Sequence, residues 1–307
     1  MVLGSMEYVA VGYLTIDEII SEGSVTRSLG GSVAYGAIAA KRYGVTPYII
    51  SKVGYDFPED FLLLLSRYGI AVEGVKRVNA PSTFFRLVYE KDERKVVLKS
   101  RCQPITLKEL EAVDRTEVMH VGYVFHDIDP TCLKYLREKC RIIAVDVQGL
   151  VRFTDSTGIV KLRQPSYPRL WEMLSKVDVI HGEFKEAEIL TGIANPKTSA
   201  IRIFNRTGAL SAVTLGIKGS IIACNEGVFK IPPLQVGKTV DPTGAGDIYT
   251  AILSLALSEG EDPIYAAAIA SVASGKSVTE KAFKGIPIRR EIFEHVEAVY
   301  NNIEKIG

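Results

Sequence analysis

The chain has 307 residues, 47% of them hydrophobic, and its formal net charge is +1. A nearly neutral charge gives no reason to expect nucleic acid or an acidic membrane surface as a partner. No apolar run reaches transmembrane length, and no basic segment followed by an apolar stretch marks a signal peptide, so we expect a cytoplasmic protein with no membrane partner.

The cysteines and histidines form no recognisable metal motif. The four cysteines have neither C-x-x-C nor zinc-finger spacing, which favours reduced thiols. His120 and His126 lie six residues apart on a strand-then-loop segment, so we interpret both as ordinary packing or solvent-facing residues. Residues Met1 to Ser5 are interpreted as an added leader, with Met6 as the natural start.

The N-terminal third alternates apolar strands with helices. Residues 7–14 are short, apolar and rich in β formers, which predicts a buried first strand. Asp17 follows in a predicted turn, where ligands of open α/β sheets bind, although a turn aspartate needs no ligand. Gly30 and Gly31 lead into a small-residue helix that ends at Gly44. A strand over 47–53, Asp56 in the loop after it, a helix over 59–68 and a strand over 75–78 follow.

Two stretches, about 18–30 and 82–100, interrupt this alternation. The first has extended character with a turn at Gly23. The second alternates polar and apolar residues on both sides of a polar turn at Asp92-Glu93-Arg94, which predicts a hairpin with one polar face. Together the two stretches predict a small β lid.

Regular alternation returns at residue 117 and predicts parallel strands with right-handed crossovers. Strands are predicted at 118–124, 141–147, 177–181, 209–215 and 220–224. Helices are predicted at 130–139, 167–175, 183–190, 196–205 and 265–277, with a final amphipathic helix at 289–306.

The stretch Asp241-Pro242-Thr243-Gly244-Ala245-Gly246-Asp247 opens an apolar helical run over 248–257. Glycines at a helix start let free N–H groups approach a ligand closely, and those groups with the helix dipole favour a phosphate. Asp247 lies in the first turn, where the dipole stabilises its ionised form. An anion cradle beside a carboxylate base suits transfer of a phosphoryl group to an alcohol. The alternative is a capped turn without a ligand.

This stretch resembles the C-terminal signature of the ribokinase-like (PfkB) family of carbohydrate kinases. The usual form has Thr where Pro242 stands, whereas both aspartates and both glycines match. The resemblance covers essentially the whole chain and implies a single domain over 1–307. The implied fold is a three-layer α/β/α ribokinase-like fold with a mostly parallel central sheet and a small β-sheet lid. It also implies Asp247 as the base and the amides of Gly244, Ala245 and Gly246 as the anion hole.

The region around the double glycine resembles the family's N-terminal signature. The resemblance implies that Asp17, Gly30, Gly31 and Tyr35 contact the acceptor, with Asp56 as a further substrate-side residue. The family commonly has Asn where Tyr35 stands, and this departure leaves the acceptor class open.

Two more segments match family positions for ATP and Mg²⁺. Glu186 matches the Glu of the Asn-x-x-Glu pattern that organises magnesium, whereas Glu183 stands at the Asn position; a carboxylate also holds Mg²⁺ through water. A solvated acidic helix start is the alternative interpretation. The resemblance places ATP against the following residues: Thr214, Gly216, Lys218, Gly219, Asp241, Gly244, Gly246 and Gly275.

The string from Asp146 to Arg152 is similar to one in the inositol kinases of this family. It implicates Gln148 and Arg152 in binding, and Arg152 is equally suited to holding a loop. The best-supported acceptor is therefore myo-inositol, with a nucleoside or a 2-keto-3-deoxysugar as alternatives. A non-catalytic sugar-sensing module is the alternative from another class, and a Rossmann dehydrogenase is disfavoured because no G-x-G-x-x-G follows the first strand. The protein is expected to be a monomer or a lid-mediated homodimer.

Overall fold

The structure is a computed structural model that describes residues 6–21, 24–90, 93–235 and 237–307. The predicted leader at Met1 to Ser5 and the predicted turn residues Gly23 and Asp92 lie outside the described residues. The strands are β1 (Met6–Val11), β2 (Thr15–Ser21), β3 (Ser24–Gly30), β4 (Pro47–Val53), β5 (Val75–Arg77), β6 (Thr83–Glu90), β7 (Glu93–Ser100), β8 (Thr116–Gly122), β9 (Cys140–Asp146), β10 (Arg152–Thr154), β11 (Val160–Leu162), β12 (Val179–Glu183), β13 (Leu210–Thr214), β14 (Ser220–Cys224), β15 (Gly227–Ile231) and β16 (Glu304–Lys305). The helices are α1 (Ser32–Tyr43), α2 (Glu59–Arg67), α3 (Leu107–Leu110), α4 (Cys132–Arg137), α5 (Gln148–Val151), α6 (Leu170–Leu174), α7 (Phe184–Thr191), α8 (Pro196–Thr207), α9 (Ala245–Glu259), α10 (Pro263–Ser277), α11 (Arg289–Phe293) and α12 (Val296–Tyr300).

A ten-stranded sheet runs through the middle of the described chain, in the order β16-β15-β14-β13-β12-β9-β8-β1-β4-β5. Neighbouring strands from β5 to β13 pair in parallel, whereas β13 to β16 pair antiparallel. The central strands read as nearly continuous apolar runs because helices cover both of their faces. One face packs against α1, α2, α9 and α10, and the other packs against α4, α6, α7 and α8. The three-layer prediction with a mostly parallel sheet is confirmed.

A separate four-stranded sheet has the order β3-β2-β6-β7. It is built from the two stretches that interrupt the βα alternation, as the polar–apolar pattern predicts. Asp17 therefore lies within strand β2, not in a turn after β1 as expected.

The short hairpin β10–β11 adds to the edge of this small sheet. Leu98 of β7 donates its backbone N–H to the Gly158 carbonyl at 2.9 Å, and Val97 forms an isolated antiparallel bridge with Ile159. The hairpin was not predicted from the sequence, because three-residue strands carry too few residues to show an alternation.

The predicted final helix over 289–306 is wrong. The segment instead forms α11 and α12, which are separated at Glu294 and His295, and it ends in strand β16. The last residues leave the helical path because they pair with β15, where Lys305 lies opposite Phe229. No helix among the described residues is long and apolar enough to cross a membrane.

Candidate active site

A cavity of about 670 Å³ lies at the carboxyl ends of the parallel strands, between the large sheet, the small sheet and the start of α9. This is where open α/β sheets bind ligands, because loops and helix N-termini meet there. The cavity is bordered by the following predicted site residues: Asp17, Gly31, Tyr35, Gln148, Arg152, Glu183, Glu186, Thr214, Gly216, Gly219, Gly244, Ala245, Gly246, Asp247 and Gly275.

Helix α9 begins at the floor of the cavity. Gly244 is its N-cap, with a φ of 76°, and a Cβ atom there would lie 2.1 Å from the Tyr35 ring, so both backbone and space require glycine. The Ala245 N–H, one of the three amides that the sequence predicts for the anion hole, donates instead to the Pro242 carbonyl at 3.3 Å. The amides of Gly246 and Asp247 come next in the first turn, where helical geometry supplies no acceptor. These N–H groups and the helix dipole can hold an anion.

Asp247 occupies a partly buried position among charged groups. Burial, followed by the charge of the nearby Asp146 carboxylate, raises the pKa of its carboxyl from the ordinary value of 3.8 to about 6. A hydrogen bond from Ser32 and the imidazoles of His120 and His181 oppose this increase. The balance leaves a carboxylate that is ionised near pH 7 yet basic enough to accept a proton.

Asp146 is the buried hub beneath this base, at the end of β9. Its Oδ2 lies 2.5 Å from His120 Nε2 and 3.2 Å from the Ser32 hydroxyl, and its Oδ1 lies 2.6 Å from His181 Nδ1 and 2.5 Å from the Thr250 hydroxyl. Burial opposes the charge of this carboxyl, but the histidines outweigh burial and hold its pKa well below the usual range. The network escaped the sequence analysis because its members are separated by as many as 218 residues of chain.

His181 faces the cavity above this hub. Its ring stacks on Tyr249 with 5.6 Å between centroids, and its Nε2 lies 3.2 Å from the Thr214 hydroxyl. Burial lowers its pKa, but the hydrogen bond and charge of Asp146 outweigh burial and raise it overall. A Cβ atom on Gly246 would lie 3.0 Å from His181 Cε1, so glycine at this position leaves room for the ring.

Two carboxylates, Glu183 and Glu186, lie side by side at the start of α7. Glu186 is 6% exposed, and its Oε2 accepts the Glu183 backbone N–H at 2.9 Å. Burial, followed by the charge of Glu183, raises the pKa of Glu186 to about 7. A cation beside the pair would relieve this repulsion, so the donor set suits Mg²⁺ held by carboxylates, water and substrate phosphates. Among the described residues, no group of three or more metal-ligating side chains is gathered.

One end of the cavity is bordered by the small sheet. Asp17 and Thr15 of β2 line it, and the Thr15 hydroxyl donates to Asp17 Oδ1 at 2.7 Å. Gln148 and Arg152 face this end from the segment after β9. The rest of the wall is apolar and consists of Phe85, Leu87, Val96 and Val124.

A second part of the cavity lining is poor in charge. It consists of Gly216, Ile217, Gly219, Leu234 and Gly275, with a Gly275 Cβ position 2.9 Å from Leu234 Cβ. We expect an apolar group such as a purine to lie against a lining of this kind.

Four predicted site residues lie outside the cavity lining. Gly30 packs against Asp17, since a Cβ there would lie 2.1 Å from Asp17 Oδ2. Asp56 accepts the Ser82 N–H at 2.7 Å and so closes a loop. Asp241 accepts the N–H groups of Thr243 and Ala282. Lys218 is exposed on the 3₁₀ turn Gly216–Lys218.

Comparisons with known proteins agree with this architecture. The model of the pfkB family carbohydrate kinases matches residues 1–286. The inositol 3-kinase of Arabidopsis thaliana is 27% identical over 259 residues, which cover 81% of this chain and 67% of the relative. The cytidine kinase of Thermococcus kodakarensis is 28% identical over 256 residues, which cover 80% of this chain and 86% of the relative.

A solved structure shares the fold. It is a pyrophosphate-dependent kinase of the ribokinase family complexed with a pyrophosphate analog and myo-inositol. The TM-score is 0.79 at 22% identity, and the superposition covers 94% of this chain and 99% of that one. These similar proteins include kinases of inositol and of a nucleoside, and one that uses pyrophosphate as the donor. The comparisons therefore do not identify the acceptor of this chain, which is argued below from the residues of the site.

Proposed function

The chain belongs to the pfkB family of carbohydrate kinases, which are phosphotransferases with alcohol acceptors, and from that premise we propose that it phosphorylates myo-inositol with ATP. The observation that carries the proposal is a helix N-terminus and a carboxylate base that line one cavity together with a polar and an apolar group of residues.

In the proposed reaction the acceptor hydroxyl lies against Asp247 and the γ-phosphate lies over the first turn of α9. The hydroxyl oxygen forms a bond to the γ-phosphorus while the bond from that phosphorus to the β,γ-bridging oxygen breaks. The hydroxyl proton passes to the Asp247 carboxylate, and ADP leaves with the bridging oxygen. The raised pKa of Asp247, about 6, places the base near the working pH, where proton acceptance is efficient.

The negative charge of the moving phosphoryl group is met by the backbone of α9. The N–H groups of Gly246 and Asp247 face the site from the first turn, and preorganised donors of this kind stabilise charge as it develops. Gly244 and Gly246 allow this approach, since side chains at either position would meet Tyr35 or His181.

Glu183 and Glu186 are the residues that would hold Mg²⁺. When bound, the ion neutralises phosphate charge and orients the phosphates for in-line transfer. The two carboxylates would form the metal side of the site, and Arg152 lies close enough to lower the pKa of Glu186 through its charge.

The polar end of the cavity supports a small polyhydroxylated acceptor. Asp17 accepts hydrogen bonds from hydroxyls, Gln148 both donates and accepts, and Arg152 donates, so a ring with many hydroxyl groups finds partners on several sides. The inositol 3-kinase relative and the myo-inositol complex point to the same acceptor.

A nucleoside is the second candidate. The apolar wall of Phe85, Leu87 and Val96 suits the face of a base better than a hydroxylated ring, and a cytidine kinase is among the relatives. Asp17 would then bind the ribose hydroxyls.

Pyrophosphate is the alternative donor, because the myo-inositol complex above is of a pyrophosphate-dependent kinase. The apolar lining around Leu234 and Gly275 supports ATP, since pyrophosphate has no group that would occupy it.

The test is a screen of six acceptors, each with ATP or with pyrophosphate as the donor, in which the formation of the phosphorylated acceptor is measured. The acceptors are myo-inositol, ribose, fructose, 2-keto-3-deoxygluconate, cytidine and adenosine. Turnover of myo-inositol with ATP, abolished in Asp247→Asn, is the expected result. Faster turnover of a nucleoside would overturn the acceptor assignment, and pyrophosphate dependence would overturn the donor assignment. Tight sugar binding by calorimetry without turnover would instead identify a sugar-sensing module.

A further inference from the structure

The buried carboxylate of Asp146 reaches the reaction centre through three separate partners. Thr250 lies one turn beyond Gly246 on α9, and its hydroxyl contacts both Asp146 and the Gly246 carbonyl, the latter at 3.2 Å. His181 is held by Asp146 and packs against Gly246. The hydroxyl of Ser32, the first residue of α1, lies 3.2 Å from Asp146 Oδ2 and within hydrogen-bonding reach of Asp247, so it can donate its one proton to either carboxylate.

A second histidine anchors the hub from behind. His120 on β8 is fully buried, with Nε2 on Asp146 and Nδ1 2.6 Å from the Tyr8 hydroxyl of β1. A carboxylate only accepts hydrogen bonds, so His120 carries a proton on Nε2 and His181 carries one on Nδ1. One carboxylate thus connects β1, β8, β9, β12, α1 and α9.

From this connectivity we propose that Asp146 is a positioning residue for phosphoryl transfer. Its four donors, themselves no more than 4% exposed, lock the first turn of α9 and the Asp247 side chain against the sheet. The proposal rests on the assignment of Asp247 as the base, which Asp247→Asn tests separately.

Stability alone is a poor reason for such a group. Replacing a buried charged network with apolar side chains of similar volume is often neutral or stabilising, so the network is better explained by the geometry that it imposes. Misplacing a reacting group by about 1 Å costs on the order of 10²-fold in rate.

The charge of Asp146 also acts on the base. The titratable groups that face Asp247 are Asp146 on β9, His120 on β8, His181 on β12 and Tyr8 on β1. Removing the Asp146 charge removes a cause of the raised pKa of Asp247, so the acid limb of the kcat profile should move to lower pH.

The first variant is Asp146→Asn, which keeps the shape but turns one acceptor into a donor. We expect kcat to fall about 10²-fold with KM values for both substrates within about twofold of wild type, and the acid limb to move to lower pH. A purely structural role would lower the Tm and the active fraction without moving that limb. Unchanged kcat and an unmoved limb in a folded variant would overturn the proposal.

Thr250→Val keeps the proposal falsifiable should Asp146→Asn fail to fold. It removes one hydroxyl, and Ser254→Ala is its matched control, because Ser254 is equally buried one turn later on α9 and donates to the Thr250 carbonyl instead. We expect kcat to fall about tenfold in Thr250→Val, to recover in Thr250→Ser and to stay near wild type in Ser254→Ala. Equal losses in Thr250→Val and Ser254→Ala, or no loss in Thr250→Val, would refute the positioning role. The kcat is measured with whichever acceptor the screen identifies, so the result does not depend on inositol.

Discussion

Replacing Asp247 with Asn should make the protein more stable while it abolishes turnover. The carboxylate is partly buried, lies near Asp146 and has a pKa raised from 3.8 to about 6. Asparagine keeps the shape and still accepts a hydrogen bond from Ser32, but it carries no charge to desolvate and accepts no proton. The base is therefore held in an unfavourable ionised state by the fold around it.

The magnitude follows from the pKa difference. Each unit is worth about 1.4 kcal/mol, so roughly two units give about 3 kcal/mol. Partial exposure of Asp247 reduces this figure, and we expect a gain of about 2 kcal/mol above pH 6. Because the folded-state pKa lies above the unfolded one, the penalty is absent below pH 4, where both states are protonated, and develops as pH rises from 4 to 6.

The assay pairs thermal unfolding with kinetics. At pH 8 Asp247→Asn should unfold several degrees above wild type, and the difference should disappear at pH 4 if both proteins remain folded there. The kcat should fall at least about 100-fold. A variant that is less stable than wild type at pH 8 would refute the account of a buried, ionised base, and a near-normal kcat would refute the catalytic assignment.

Three further expectations concern the same architecture. The wild-type kcat should fall about tenfold per pH unit below pH 6, because protonated Asp247 accepts no proton; a flat profile down to pH 5 would contradict this. Gly246→Ala should lower kcat about tenfold at nearly unchanged Tm, because its Cβ would press on His181, and a kcat equal to wild type would show that the ring yields freely. Glu109→Gln should cost about 2 kcal/mol at pH 7, because burial disfavours the Glu109 charge but Lys52 at 2.9 Å outweighs burial and lowers its pKa to about 2. The contribution of ionised Glu109 to the free energy of unfolding is full above pH 4.5 and is lost as pH falls through 2. An equal Tm of wild type and Glu109→Gln at pH 7 would contradict this prediction.

The sequence is informative where chemistry and chain order coincide. The stretch from Gly244 to Asp247 predicts a helix start with an anion hole, because glycines and a first-turn aspartate are adjacent in the chain. The βα alternation predicts the parallel sheet for the same reason, since each crossover is local. The interrupted alternation at 82–100 likewise predicts the separate small sheet.

The sequence is silent where contacts are distant. Nothing near His120 or His181 indicates that both meet Asp146, because parallel strands bring residues together only after their register is set. Asp56 and Asp241 illustrate the converse, since each follows the family pattern by position yet accepts backbone hydrogen bonds, Asp56 from Ser82 and Asp241 from Thr243 and Ala282. The short strands β10, β11 and β16 form because they pair with neighbouring strands, and their own residues do not predict them.

The hydrogen bond between the Leu98 N–H and the Gly158 carbonyl connects the β10–β11 hairpin to strand β7 of the small sheet. Strand β10 begins at Arg152. A rotation of the small sheet would therefore either move the Arg152 guanidinium or break the contact between the hairpin and β7. Phe85 and Leu87 line the same cavity as Arg152, whose charge lowers the pKa of Glu186, so an acceptor that displaces the small sheet would also change the position of this cation. Lengthening the turn at 155–158 would loosen this connection without altering any residue that lines the cavity. The position of Arg152 would then no longer depend on how the acceptor binds against the small sheet.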